Sequence, residues 1–332
     1  MLILIPFPSL EPHGGTRVAV EIANGLAERG HSVYFALLNN RTHTDYWAWH
    51  PGVRVVTHQS TYAMRPERIL VTSPHSIFRA APGKTVIHLQ MLEHLFRPDD
   101  IVWRRTCEAA YKYPAPLLSI SRWNIDTLAL AGYRSPETMR YIGNGVSSRD
   151  FPRLSDEGLR ELKTVLVEGW VAYNPCKDTD RVAPQVVRRL KEDGYRIVAY
   201  GGFPPTDYQD AIDQFHLRPN LGQLNTLYAQ ASVLVKASRY DARSCSPVEA
   251  MAKGCPTARA IVSGDDDLID DVNALRVDYE DVDGLYLAAK RILEDGDLRA
   301  RLVARGYQHI DTECVWGRWI DVIEQTLEKA AI

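Results

Sequence analysis

The chain alternates short apolar runs with stretches whose apolar residues recur every three or four positions. Residues 2–6 are a continuous apolar run and read as a buried strand. A loop through 7–15 ends in Gly14-Gly15, and 16–29 place Val18, Ile22 and Leu26 at helical spacing, with Ala19 and Ala23 beside them. Gly30 stops that helix and 31–36 supply a second strand, which makes a βαβ unit. Further strands are predicted at 53–56, 69–72, 85–89, 117–120 and 139–142, with helices at 104–111 and 123–130. The Gly143-Asn144-Gly145 turn precedes a domain boundary near Phe151-Pro152.

The second half repeats the scheme. Strands are predicted at 164–167, 195–200, 233–235 and 256–260. Helices are predicted at 180–192, 208–215, 224–231, 283–293 and 298–307, and over 315–330 with Trp316, Trp319, Ile320 and Ile323 on one stripe. Such alternation predicts an α/β protein of two doubly wound, Rossmann-like domains facing across a cleft. The expected domains are 1–150 and 151–311, with a last helix over 312–330 packing back onto the first.

The most informative stretch is 233–253, VLVKASRYDARSCSPVEAMAK. A buried strand leads through a polar loop into a helix, with Ser246 at the expected cap, Pro247 at the first helical position and Gly254 as the stop. A helix start offers unpaired N–H groups and the positive end of a dipole, which suits a diphosphate. Glu249, one turn inside, is placed to accept from hydroxyls on whatever that diphosphate carries. Backbone groups of Ser244, Cys245 and Ser246 would meet phosphate, and Cys245 has no activating base nearby in sequence to make it a nucleophile.

Composition narrows this only a little. The 332 residues are 45% hydrophobic and 24% charged, ordinary for a globular protein. The first 150 residues carry 16 Lys+Arg against 12 Asp+Glu, the remainder 23 against 30, so a mildly basic half precedes an acidic one. Five cysteines, Cys107, Cys176, Cys245, Cys255 and Cys314, form no C-x-x-C pair. Free thiols in a reducing, cytoplasmic setting are expected. No run is long enough to span a membrane, and the opening apolar run is too short for a signal segment. Asp265-Asp266-Asp267 reads as the acid-rich start of a helix, and no metal is expected.

Five motifs in order resemble the retaining glycosyltransferases of GT-B architecture known as group 1, or family 4. They are Gly14-Gly15-Thr16-Arg17-Val18 with 26–33 (LAERGHSV); Ser121 followed by 141–146 (YIGNGV) and Phe151; Tyr228, Ala231, 233–235 and Ser238; Asp241 with Glu249 in an E-x7-E frame; and 250–254 (AMAKG). The resemblance covers nearly the whole chain. Gln90 and Glu93 are similar to a rhamnosyltransferase-like subset. Two departures stand out: Asp241 is one methylene shorter than the family's Glu, and the strand-end "GR … K" appears as Gly169-Trp170 … Lys177. Arg243 or Arg181 is then the candidate to replace the missing arginine.

The resemblance implies that a nucleoside-diphosphate sugar is held by Gly14, Gly15, Thr16, Gly169, Lys177, Gly201, Gly202, Arg243, Ser244, Cys245, Ser246, Pro247, Val248 and Glu249. Glu249 would take the ribose, Asp241 the sugar hydroxyls, and Lys177 the charge on the departing diphosphate. His88, Gln90 and His75 compete for the place beside the sugar. The expected reaction is sugar transfer to an acceptor hydroxyl with retention of configuration, without metal or other cofactor. The acceptor would be a glycan or lipid-linked glycan precursor. Alternatives are a modified DNA base, an inactive nucleotide-sugar-binding protein, or a sugar-nucleotide epimerase on the same fold.

Overall fold

A computed structural model of the chain describes residues 1–39, 46–154, 163–168, 181–204 and 208–330. The chain forms two compact units, Met1–Gly145 with Trp316–Ile332, and Val146–Val315. Both are parallel α/β sheets carrying helices, and the fold class is that of two Rossmann-like domains.

The first unit runs β1 (Leu2–Phe7), α1 (Gly14–Glu28), β2 (Ser32–Leu37), β3 (Val53–Thr57), β4 (Arg68–Val71), β5 (Thr85–Leu89), α2 (Ile101–Lys112), β6 (Leu117–Ser119), α3 (Arg122–Leu130) and β7 (Met139–Tyr141). Its sheet has the order β3-β2-β1-β4-β5-β6-β7, all pairs parallel. The chain leaves β1 in one direction and returns beside it as β4, so the strand order reverses between them. In open parallel sheets that reversal leaves a crevice at the carboxyl ends of the two strands.

The second unit follows as β8 (Thr164–Glu168), α4 (Ala183–Glu192), β9 (Arg196–Gly201), β10 (Gln214–Leu217), α5 (Leu221–Gln230), β11 (Val233–Tyr240), α6 (Cys245–Ala252), β12 (Thr257–Ser263), β13 (Leu275–Val277), α7 (Val282–Glu294) and α8 (Gly296–Glu313). The order β10-β9-β8-β11-β12-β13 puts its reversal between β8 and β11. Apolar side chains on both faces, Val165, Val167, Val233 and Val235 on one and Leu166, Val198 and Leu234 on the other, explain the unbroken apolar runs of these strands.

The last helix, α9 (Trp316–Lys329), lies in the first unit, where Trp319, Ile320, Ile323 and Leu327 are buried. Its partner is α1: a Cβ on Gly25 would meet Ile320 at 2.8 Å, Arg29 binds Asp321 and His31 binds Glu324 at 2.6 Å. The Gly143-Asn144-Gly145 turn has its glycines for the same reason. A Cβ on Gly143 would stand 2.7 Å from the Trp319 ring, and one on Gly145 only 2.2 Å from that of Trp316.

Several elements differ from the expectation. Gly14 and Gly15 are the first residues of α1, because His13 caps its open amides through Thr16. Cys245 opens α6, one residue ahead of the expected cap at Ser246, and Ser244 holds the cap position. The region 208–215 is a 3-10 turn, Gln209–Ala211, followed by the edge strand β10. Asp265, Asp266 and Asp267 start no helix: Asp265 has left-handed φ, and Asp265 and Asp267 are buried against arginines.

Candidate functional site at the carboxyl rims of the two sheets

In the second unit, the strand reversal gathers residues from β8, β11, β12 and α6. Glu168 ends β8, and its carboxylate takes hydrogen bonds from Lys236 Nζ and from the Ser246 hydroxyl. Lys236 Nζ also donates to Ser246 Oγ at 3.0 Å and lies 3.9 Å from Asp241. Lysine in the middle of a strand buried on both faces is tolerated because these three partners surround it.

Asp241 follows β11. Its carboxylate accepts from Ser244 Oγ at 2.5 Å and sits 3.6 Å from the Arg259 guanidinium. Arg259, 0% exposed on β12, binds Asp265 through Nε at 2.7 Å. Asp265 in turn accepts the Ser244 amide at 2.5 Å. One of the amides at the start of α6 is therefore engaged by a side chain of the protein itself. Gly264 allows this closeness: with φ of +90°, its missing Cβ would fall 1.5 Å from the Asp241 carbonyl oxygen.

Arg243, a candidate for the place of the missing phosphate arginine, is buried beside Asp267. Its Nε binds the Asp267 carboxylate and its Nη2 reaches Cys314 Sγ at 3.3 Å. Burial alone would raise the pKa of Asp267, but the Arg243 charge and the hydrogen bond from His309, at 2.8 Å, outweigh it and hold the carboxyl down to about 2. Arg181, the other candidate, is exposed and pairs with Glu280 at 3.5 Å.

Glu249, on the first turns of α6, is 5% exposed. Tyr228 of α5 donates to it at 3.2 Å, and Tyr200 of β9 stands 2.9 Å from Tyr228. This buried phenol pair fixes the carboxylate from below. Burial raises both phenols well above the usual range, so they remain donors. Pro247 and Val248 are buried and Cys245 is half-buried. Gly201 closes β9 on the same rim, its carbonyl taken by the Arg218 amide at 2.8 Å, and Gly202 follows it. Gly169, Trp170 and Lys177 lie outside the described residues.

The carboxyl rim of the first unit brings together other predicted residues. Gln90, just past β5, donates from Nε2 to the Gly15 carbonyl at 3.2 Å, and a Cβ on Gly15 would stand 3.2 Å from its Oε1. Thr16 is buried under the His13 ring. His88, on β5, is 1% exposed, and neither ring nitrogen has a hydrogen-bond partner among the described residues. Burial pulls its pKa down to about 4. His75 occupies a 3-10 turn, Pro74–Arg79, after β4; its ring packs 4.1 Å from that of Trp103, with Ser73 Oγ at 3.3 Å. Ser73 also donates to Glu93 at 3.5 Å, and burial pushes the Glu93 carboxyl up to about 8. Gln90 thus meets the glycine pair at the start of α1 directly, whereas His75 groups with Ser73, Glu93 and Trp103.

The residues that sequence reasoning missed are the internal frame of the second rim: Glu168, Lys236, Arg259, Asp265, Asp267, His309 and Cys314. Two of them carried a signal. A Lys in VLVKAS and an Arg in TARAIVS interrupt strands that are otherwise apolar, and a charge there needs a buried partner. Asp267, His309 and Cys314 also present ligand-type atoms within 4.8 Å of one another, but Arg243 already neutralises Asp267 and burial raises the Cys314 thiol.

Comparison with known proteins adds the class. Residues 163–295 match the family model described as glycosyl transferases group 1. Among solved structures, Alr3699/HepE of Anabaena, crystallised with UDP and glucose, aligns over 99% of both chains at 16% identity and a TM-score of 0.76. Sucrose-phosphate synthase of Thermosynechococcus elongatus aligns over 98% of both at 14% identity and 0.80. WaaG, a glycosyltransferase involved in lipopolysaccharide biosynthesis, aligns over 98% of this chain and 99% of its own at 14% identity and 0.77. At these identities the structures carry the GT-B fold. A sequence search of curated proteins finds no match. The class defined by the matched model and the fold together is that of the glycosyltransferases, EC 2.4.

Proposed function

We propose that the protein transfers a sugar from a nucleoside-diphosphate sugar to a hydroxyl of a glycan or lipid-linked glycan precursor, with retention of configuration. The observation that carries this reading is the position of α6. It starts at the strand reversal of the second sheet, beside the ends of β8 and β11, with Glu249 held from below by Tyr228. A diphosphate at that rim would meet the dipole of α6. The ribose would bond Glu249. The bound UDP of Alr3699/HepE supports a uridine nucleotide as the first donor to try.

Asp241 acts differently in this reading from its counterpart in the resemblance. Its carboxylate is tied inward to Ser244, Arg259 and Lys236, so it sets the shape of the loop ahead of α6. As the glycosidic bond breaks, charge builds on the diphosphate, and fixed dipoles aimed there lower the barrier without reorganising. Gln90, His88 and His75 remain the candidates beside the sugar. The donor is a substrate, and the reading calls for no cofactor. No helix among the described residues is long and apolar enough to cross a membrane, and we place the enzyme in the cytoplasm, where nucleotide sugars would reach it.

The test is nucleotide release from UDP-, GDP- and dTDP-sugars together with thermal stabilisation by the same donors. Binding confined to the native state raises the melting temperature by mass action. Glu249→Ala is expected to abolish stabilisation by the productive donor and to cut turnover by about a hundredfold, the loss of a charged hydrogen bond worth roughly 2–3 kcal/mol. No stabilisation of the wild type by any donor would overturn the reading.

A further inference from the structure

The first unit exposes two large aromatic rings on its carboxyl rim, the side where open parallel sheets bind ligands. Tyr62 is 62% exposed and Phe78 60%. Both pack edge-on against one imidazole, His58: Tyr62 at 4.8 Å and 68°, Phe78 at 5.2 Å and 83°. His58 directly follows β3 and is only 6% exposed. Its Nε2 is buried without a hydrogen-bond partner among the described residues. The Arg79 guanidinium lies 5.3 Å from the centre of the Tyr62 ring and is steadied by the Thr61 carbonyl at 3.3 Å.

Two exposed rings around a polar nitrogen and a guanidinium make an unusual surface. Core packing does not need these ring faces, and isolated apolar exposure would not arrange both rings around one imidazole. The placement ties them to the rim already described. Phe78 belongs to the same 3-10 turn as His75, exactly one turn later, and residues three apart in such a turn stand on the same side. That turn is anchored over the end of β1, where Ser76 donates to the Pro6 carbonyl at 2.8 Å.

We propose that Tyr62, Phe78, His58 and Arg79 form a saccharide subsite that holds the acceptor. This deepens the transferase reading and rests on it. The C–H faces of a pyranose pack against aromatic faces, and its ring hydroxyls bond a guanidinium, while His58 holds the two rings in place. Burial and the neighbouring Arg79 charge lower the pKa of His58, which leaves Arg79 as the permanent cation among the four side chains. That suits a neutral sugar better than a phosphate backbone, whose binding rises with the number of charges that meet it.

The test is saturation-transfer difference NMR on the full chain with maltose, cellobiose, lactose and chitobiose, and with a short oligothymidylate in a separate arm. The wild type is expected to transfer saturation to at least one disaccharide. Tyr62→Ala with Phe78→Ala should weaken that binding about tenfold, equivalent to roughly 1.4 kcal/mol. Tyr62→Phe with Phe78→Tyr should retain it, since the ring faces remain. The subsite is overturned by the absence of any disaccharide signal, by a signal that the alanine pair leaves unchanged, or by aromatic-dependent binding of oligothymidylate alone. Stabilisation by UDP-glucose, read on the same samples, keeps the two claims apart. It is expected in wild type and both variants, and its absence from the wild type counts against the donor reading instead.

Discussion

His88 and Glu93, five residues apart on the first rim, are driven by burial in opposite electrical directions to the same outcome, neutrality. His88 is pulled down to about 4 and Glu93 pushed up to about 8. For His88 the unfolded chain binds the proton first, so the fold keeps its full stability above about pH 6.5 and loses it as pH falls toward 4. The slope from this residue is about 1.4 kcal/mol per pH unit. His88→Gln should flatten that part of the stability profile in urea denaturation between those limits. For Glu93 the folded state holds the proton longer, so stability is full in acid and declines as pH rises toward 8. Glu93→Gln should therefore melt higher than wild type above neutral pH and match it in acid. A melting difference independent of pH would contradict the assignment.

The same scale shows what sequence made visible. Glu249, Asp241 and the paired glycines stood out because turn and cap chemistry is local. Glu249 does sit on the first turns of α6, but what fixes it, Tyr228 from a different helix, is a tertiary fact. Arg259 and Lys236 were readable as charges in apolar strands, yet nothing local says which carboxylate each will find.

At the level of elements, the loop before α6 and the loop after β12 behave as one piece. Gly264 lets their backbones touch, and Arg259 joins Asp241 to Asp265 beneath them. Arg259→Met would leave two buried carboxylates short of their cation. Breaking such a pair costs about 3–5 kcal/mol, measurable as a lower urea midpoint with an unchanged slope. A loss under about 1 kcal/mol would mean that water reaches the pair, as it does for exposed ions. The misread elements belong here too. The segment that became β10 has only four residues and a half-exposed edge position, so its alternation is too brief to outweigh the helical spacing of Tyr208, Ile212 and Phe215. The acidic triplet imitates a helix start, but two of its members serve arginines from β12 and from the loop before α6.

For the molecule as a whole, alternation of strand and helix was enough to predict two Rossmann-like sheets, because parallel strands joined by crossovers leave few other topologies. Strand order was not legible, and it is the order that locates both rims. Charge asymmetry between the halves said less: pairs such as Arg243 with Asp267 and Arg189 with Asp283 join one acid to one base and leave the acidic excess of the second half unassigned.

The return of α9 to α1 and to the turn at Gly143 has a bearing on how the chain matures on the ribosome. Residues 146–315 are continuous and can fold as soon as they emerge, as domains commonly do during synthesis. The sheet that begins with β1 must wait, with the side of α1 facing Ile320 uncovered, until the final helix arrives nearly three hundred residues later. The unit begun earlier is thus finished later, and a nascent chain stalled before Trp316 would hold a completed second sheet and an open first one.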